Sequence, residues 1–354
     1  MKTWRFALAA LPRVAIEVGV AAALAGAALV AGGVSWSMMP LAGASSLAHR
    51  SSSCSARSVT HATGLELQLN IVKAPNGKLP VASVCIDGKG PYPFAISTGA
   101  GSSVVTPALV RSLHLKKGAR TSVRGVTCTA TAATATVANW SVSGLQLAPQ
   151  TLLVAPVPKE GVARTAKGII GSDVLSRFGT VRIDYRTGQL GVLGSEGAAV
   201  KGNTYVVGQA NTSPPSALGR GRIELSAPLR VFEGPGGTLV AASVNVAGHA
   251  EQFAVDSGST NSGLVPAVAK SLKLKGGGSK AAFSGLGCRG KGKTYSSGTW
   301  SLGGTKLRKA SLVSQRIAGS VNSGLQGVLG SNVLGSYGSM IVDYRAAHLW
   351  LLKG

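Results

Sequence analysis

The sequence predicts an all-β protein made from two copies of one folding unit, and three observations carry that reading. The first is an internal register. Phe94 and Phe253, Gly171 and Gly330, Leu175 and Leu334, Asp184 and Asp343, and Tyr185 and Tyr344 all stand 159 residues apart, while Cys128 and Cys288, and Trp140 and Trp300, stand 160 apart. One spacing with a single-residue slip, held over more than 90 positions, is the mark of a duplication rather than of shared composition. The second is composition. Of 354 residues 49 are Gly, 5% are aromatic and 14% are charged, so the cores must be built from Val, Leu, Ile and Ala. The third is patterning: short apolar runs, several of them alternating, are punctuated by Gly and Pro turns, which favours strands over a helical bundle. The length allows two or three domains, each large enough to bury a core.

At the N-terminus Lys2, Arg5 and Arg13 precede an apolar run over 18–34 that ends near Ala42-Gly43-Ala44. Basic, apolar and small residues in that order predict an export signal. The run is long and Glu17 sits at its edge, so an uncleaved hydrophobic helix anchored in a membrane is the alternative. Both readings place the folded part outside the cytoplasm, secreted or membrane-anchored. The expected organisation is a signal or anchor over 1–44, a flexible Ser/Ala-rich spacer over 45–63, a first lobe over 64–195, a linker over 196–221 and a second lobe over 222–354.

The first lobe opens at Leu65-Glu66-Leu67, matched by Ile223-Glu224-Leu225. Alternation over 79–86 and a Gly/Pro turn over 87–93 lead into the strand Phe94-Ala95-Ile96. Thr106 can cap a short helix with Pro107 at its first position, and the segment 265–272 repeats that helix. Hairpins with Gly-rich tips are expected over 123–137 and 281–299, each followed by a Trp-containing strand. Then come Ile169-Ile170-Gly171 and Val328-Leu329-Gly330, each before a short helix, and each lobe closes with a hairpin, 181–193 and 341–352. The connecting stretch contains Ser213-Pro214-Pro215-Ser216 and little apolar periodicity, the composition of a linker.

The chemistry is concentrated in one repeated run. Phe253-Ala254-Val255-Asp256-Ser257-Gly258-Ser259 reads as a buried strand that ends in a tight Gly turn and presents a carboxylate. Its counterpart, Phe94-Ala95-Ile96-Ser97-Thr98-Gly99-Ala100, has Ser97 where the carboxylate would be. Strand, Asp-Ser/Thr-Gly turn, helix, hairpin, hydrophobic-hydrophobic-Gly step, short helix and closing hairpin, twice over, resembles the aspartic peptidases of the pepsin and retropepsin group. The resemblance spans about 64–354 and implies two double-psi β-barrel lobes facing each other across a cleft for extended polypeptide. It further implies that Asp256 holds the catalytic position of lobe two, with Ser97 its degenerate partner in lobe one. The hydroxyls of Thr98 and Ser257 would brace the two turns, Gly99 and Gly258 would make those turns sharp, and flap-like hairpins with tips near Gly125 and Cys128, and near Gly285 and Cys288, would hang over the cleft.

In that family two carboxylates share one proton, one acting as base toward a water while the other donates to the substrate carbonyl. A serine can hydrogen-bond the water, but it cannot accept a proton at neutral pH. Three functional readings stand: an exported homologue that binds polypeptide with weak or no cleavage; an active endopeptidase, slow or using Asp256 from two chains; and a non-catalytic scaffold that interacts with the cell envelope. No cofactor and no metal are expected.

Cys54, Cys85, Cys128 and Cys288 allow three disulfide pairings in an exported chain. Among the bonds this permits are a flap-to-flap latch, Cys128 to Cys288, and a local Cys85 to Cys128 bridge; unpaired thiols are the remaining reading. The run Gly287 to Thr294 matches a phosphate-binding loop, and 285–290 a dinucleotide pattern, but each needs a strand before the loop and a helix after it, whereas Tyr295-Ser296-Ser297-Gly298-Thr299-Trp300 is strand-like. The net charge of +24 is spread over both lobes without a discrete nucleic-acid site. In an exported protein it points instead to anionic envelope polymers, a membrane surface or a solvated basic exterior. The five histidines stand at no ligand spacing.

Overall fold

The computed structural model describes Cys54 and residues 64–124, 129–157, 165–194, 205–209, 213–218, 221–234, 237–285, 288–317 and 324–353, all within the unit Ser51–Gly354. The expected N-terminal hydrophobic helix lies outside the described residues, as do the tips Gly125 and Cys128. Among the described residues no helix is long and apolar enough to cross a membrane.

The first lobe runs β1 (Leu65–Lys73), β2 (Lys78–Ile86), β3 (Lys89–Ile96), β4 (Val104–Val105), α1 (Pro107–Ser112), β5 (Lys117–Arg124) and β6 (Thr129–Val137). It continues through β7 (Trp140–Val142), β8 (Leu145–Leu147), β9 (Gln150–Val154), β10 (Gly168–Ile170), α2 (Ser172–Leu175), β11 (Thr180–Asp184) and β12 (Gln189–Leu193). After β13 (Tyr205–Val207) the second lobe repeats the order: β14 (Arg222–Gly234), β15 (Gly237–Val246), β16 (His249–Asp256), β17 (Gly263–Leu264), α3 (Pro266–Ser271), β18 (Gly276–Gly285) and β19 (Cys288–Ser296). It ends with β20 (Trp300–Leu302), β21 (Thr305–Lys306), β22 (Ser311–Ser314), β23 (Leu325–Gly330), α4 (Ser331–Leu334), β24 (Ser339–Asp343) and β25 (His348–Lys353). The molecule is all-β with short helices, as the sequence predicts.

Each lobe has its own sheet, and a third sheet belongs to both. Its order is β1, β12, β11, β24, β25, β14, every pair antiparallel. The middle pair, β11 with β24, is the seam between lobes. Its register, Thr180 with Asp343 through Asp184 with Ser339, is centred on Arg182 opposite Ile341, which are repeat equivalents. A two-fold pseudo-axis therefore passes through the seam. Thr180 donates to Asp343 Oδ2 across it at 2.9 Å, and the other oxygen, Oδ1, caps the closing turn by accepting from the backbone of Arg345 and Ala346.

The repeat dictates the core as well. Phe94, Phe253, Trp140 and Trp300 are fully buried, and each Trp ring donates Nε1–H to a carbonyl eight residues on, Ala148 at 2.8 Å and Arg308 at 2.7 Å. A buried aromatic of this kind contributes roughly 4 to 6 kcal/mol by area, on the order of 25 cal/mol for each of 150–250 Å². The parallel pairs β3 with β10 and β16 with β23 carry the hydrophobic-hydrophobic-Gly steps beside the strands that lead to the site. Gly168 and Gly327 open these steps for a steric reason: a Cβ there would lie 2.1 Å from the ring of Phe94 or 2.4 Å from that of Phe253.

Several boundaries differ from expectation. The turn expected over 87–93 is only Asp87-Gly88, both at positive φ, a two-residue hairpin connection that lets β3 begin at Lys89. The hairpins expected to start at 123 and 281 begin at Lys117 and Gly276, because backbone pairing extends through polar and Gly-rich residues with little apolar pattern to reveal it. The connecting stretch is not all linker: β13 pairs with β14, and Leu218 is buried against Ile341, Trp350 and Leu352. From Cys288 onward the run that matches a phosphate-binding loop is strand β19, and the described chain continues to β20 with no helix between them. Cys85 bonds Cys54, with 5.6 Å between Cα atoms, so the Cys85 to Cys128 bridge does not form. The flap-to-flap latch concerns side chains outside the described residues.

Candidate active site

Strands β3 and β16 deliver the two turns to the pseudo-axis. Ser97 Oγ donates to Asp256 Oδ1 at 2.8 Å, and these residues are repeat equivalents. The turns are clasped reciprocally beneath them. Ser257 N–H donates to Thr98 Oγ1 at 3.1 Å and Thr98 N–H donates to Ser257 Oγ at 3.1 Å. Each hydroxyl then donates onward across the lobes, Thr98 to Val255 O at 2.8 Å and Ser257 to Ile96 O at 2.9 Å. Thr98 and Ser257 are completely buried, so all four donors and acceptors depend on this arrangement, and losing one would strand its partner at about 1 to 3 kcal/mol.

The glycines are required by close approach. A Cβ on Gly99 would lie 2.4 Å from Asp256 Cβ and Cγ, and one on Gly258 would lie 2.5 Å from Ser97 Cβ. Only a residue without a side chain lets each turn pass under the other's functional group. The predicted residues Ser97, Asp256, Thr98, Ser257, Gly99 and Gly258 are thus brought together. Gly285 and Cys288 form the last described pair of the β18–β19 hairpin.

Asp256 accepts from Gly258 N–H at 2.8 Å in addition to Ser97. Burial is the largest influence on its proton and raises its pKa above the ordinary 3.8; the Ser97 hydroxyl and the backbone N–H groups of Gly258, Gly99 and Ser259 pull in the opposite direction. Ser97 Oγ also accepts from Ala100 N–H at 3.1 Å, which fixes the rotamer that points its hydrogen at Asp256.

Two features around this centre escape a reading of the sequence. Ser103 and Ser262, again 159 apart and six residues after Ser97 and Asp256, accept the N–H of Gly171 and Gly330 at 2.9 Å each. They donate to Asp173 Oδ1 at 2.6 Å and Asn332 Oδ1 at 2.8 Å. The signal was the shared register, but serines in a Gly/Ser-rich run carry no pattern of their own. Asp173 also accepts from Gln150 through Oδ2 at 2.8 Å, so both its oxygens are engaged behind the turn and it does not take the place of the missing partner. Burial raises its pKa too, opposed by Ser103, Arg177 and Gln150. The second feature is Tyr344, whose hydroxyl donates to Ser172 Oγ at 2.8 Å while Ser172 donates to Thr98 O at 2.8 Å, tying the turn of the closing hairpin of lobe two to the turn of lobe one.

Among the described residues no group of three His, Cys, Asp or Glu is placed to hold a metal ion. The arrangement can hold and release one proton at Asp256, and it offers a hydroxyl donor where a second carboxylate would give a second proton site. A family model described as aspartyl protease matches the chain twice, over residues 82–174 and 242–333, once in each lobe. No curated protein matches the chain.

Proposed function

The chain belongs to the aspartyl protease family, and from that premise we propose that it is an exported homologue that holds extended polypeptide between its lobes and cleaves it far more slowly than a two-carboxylate site. One observation carries this: Ser97 stands in the place of the second carboxylate and spends its proton on Asp256 Oδ1 at 2.8 Å. Peptide hydrolysis at such a centre needs one group to take a proton from water while another gives one to the carbonyl oxygen. Asp256 can do either, but not both at once, and a neutral serine hydroxyl does not accept a proton near neutral pH. The missing group would supply about 10²- to 10⁴-fold, or roughly 3 to 5 kcal/mol of barrier.

The turns themselves are intact, with every bracing hydrogen bond made, which supports a retained binding role. The Cys54–Cys85 disulfide supports an oxidising compartment, in line with the basic and apolar N-terminus. The test is cleavage of denatured casein between pH 3 and 7, with and without a statine-type inhibitor. Wild type is expected to cleave at least about 10²-fold more slowly than Ser97→Asp. Inhibitor-sensitive wild-type cleavage at a rate matching that of Ser97→Asp, and lost in Asp256→Asn, would overturn the proposal.

A further inference from the structure

The second lobe carries an unbalanced charge that the active site does not use. Residues 257–342 contain eleven Lys and Arg and no Asp or Glu. Part of this charge is organised on the β18–β19 ribbon, where Lys280 lies directly opposite Lys293, and Lys291 lies opposite Ala282. Cross-strand partners and alternate residues share one face of a ribbon, so these three lysines form one row, with Lys291 and Lys293 roughly 6.8 Å apart along the strand. All three are exposed.

The other face is committed to the protein. A Cβ on Gly292 would lie 1.7 Å from Ser314 O of β22, and Thr294 is buried. The lysine row therefore faces outward. Like charges directly opposite each other are unfavourable, and the ion pairs between described residues, Arg182 with Glu66 and Asp184 and Arg222 with Glu224, do not involve these lysines. The row lacks a carboxylate of its own.

Lysine on an edge strand is commonly a guard against aggregation. Among the described residues β18 pairs with β19 alone and is such an edge, so that explanation covers Lys280. It does not account for Lys291 and Lys293, which sit on the strand paired to that edge; β22 pairs with β19 from Thr294 to Ser296. Nor is the charge inherited with the fold. In the first lobe the matching pairs are Arg120 with Ala133 and Ser122 with Thr131, so small neutral residues stand where the second lobe has Lys293 and Lys291.

We propose that this ribbon is a docking rail for acidic extended polypeptide, and that the substrate class of the cleft is a segment with carboxylates at alternate positions. The inference rests on the polypeptide-binding reading above and names its substrate. Two features select a polypeptide over other polyanions. The open edge of β18 offers main-chain donors and acceptors that only another main chain complements, as in strand addition. Alternate side chains of an extended peptide also repeat at the spacing of the lysine row. Strand β19 pairs with β22, which pairs with β17 after the Asp256 turn, so the ribbon and the turn that carries Asp256 belong to one sheet.

The test is fluorescence anisotropy with the full chain and labelled peptides of about twelve residues, one alternating Glu and Thr and the other Gln and Thr, with inorganic polyphosphate of similar charge as a third probe. The Glu peptide is expected to bind roughly tenfold tighter than the Gln peptide, the scale of two or three exposed ion pairs. That preference should shrink with added salt and disappear in Lys291→Gln/Lys293→Gln, whose unfolding midpoint should not fall below the wild-type value because both side chains are exposed and the repulsion with Lys280 is removed. Equal binding of the two peptides overturns the rail and leaves the cleft reading standing. Failure of both peptides to bind overturns both. Polyphosphate binding as tightly as the Glu peptide, or a Glu preference unchanged in the double variant, also overturns the assignment.

Discussion

A hydroxyl touching a carboxylate differs from two carboxylates in what the pair can titrate. With Ser97 as neighbour, Asp256 keeps a single proton site whose pKa burial raises above 3.8. The folded state therefore binds that proton more tightly than the unfolded chain does. The proton's contribution to stability is complete below the unfolded pKa and is lost as pH rises through the folded value, each unit of displacement being worth about 1.4 kcal/mol. Urea unfolding of wild type and Asp256→Asn between pH 3 and 7 should show a stability difference that moves against wild type as pH rises. A difference that stays flat with pH would show that Asp256 is not held in a desolvated position. The buried Asp173 titrates in both proteins and drops out of the difference. At this scale the pairing of Ser97 with Asp256 was legible, because a repeat register places equivalents together on a two-fold axis. The roles of Ser103 and Ser262 were not, since serine in a Gly/Ser-rich run looks the same whether it braces a turn or faces water.

Among elements, the strands read most clearly were those whose apolar residues repeat between lobes, such as Phe94-Ala95-Ile96 and Ile169-Ile170-Gly171. Helix α1 was legible through its chemistry: Thr106 caps it by accepting from Leu109 N–H and Pro107 opens it. Its partner α3 keeps the proline but has Val265 at the cap, with no side-chain bond. The polar beginnings of β5 and β18, strand β13 and the buried Leu218 left no periodicity to find. Cysteine partners were also beyond reach, since spacing alone leaves all three pairings open. The bond from Cys54 to Cys85 closes a loop of 31 residues and ties the segment before β1 to β2. Cys54→Ser should cost about 3 to 4 kcal/mol in denaturant unfolding under oxidising conditions and should leave stability unchanged in the presence of a reductant. An equal loss under both conditions would show that Cys54 acts through packing instead.

At the scale of the whole molecule, the lobes are joined in more ways than a shared sheet. The turn after β1 reaches lobe two, where Lys78 N–H donates to Ser331 Oγ at 3.2 Å and Asn76 bonds Asn261 at 2.9 Å. Its repeat equivalent returns the contact, with Thr238 N–H donating to Gly101 O at 3.1 Å. Seam, clasped turns and reciprocal hairpins hold the two halves in the one arrangement that sets Ser97 against Asp256. A frame so fully retained around a site with one acid missing implies that the site lacks only that acid. The most direct measurement is the rate of casein cleavage by Ser97→Asp relative to wild type, across the acidic range where a carboxylate pair shares its proton. The expected result is a gain of about 10²- to 10⁴-fold, abolished when Asp256→Asn is added. A folded Ser97→Asp protein no more active than wild type would contradict the claim that a single side chain separates this chain from a working peptidase.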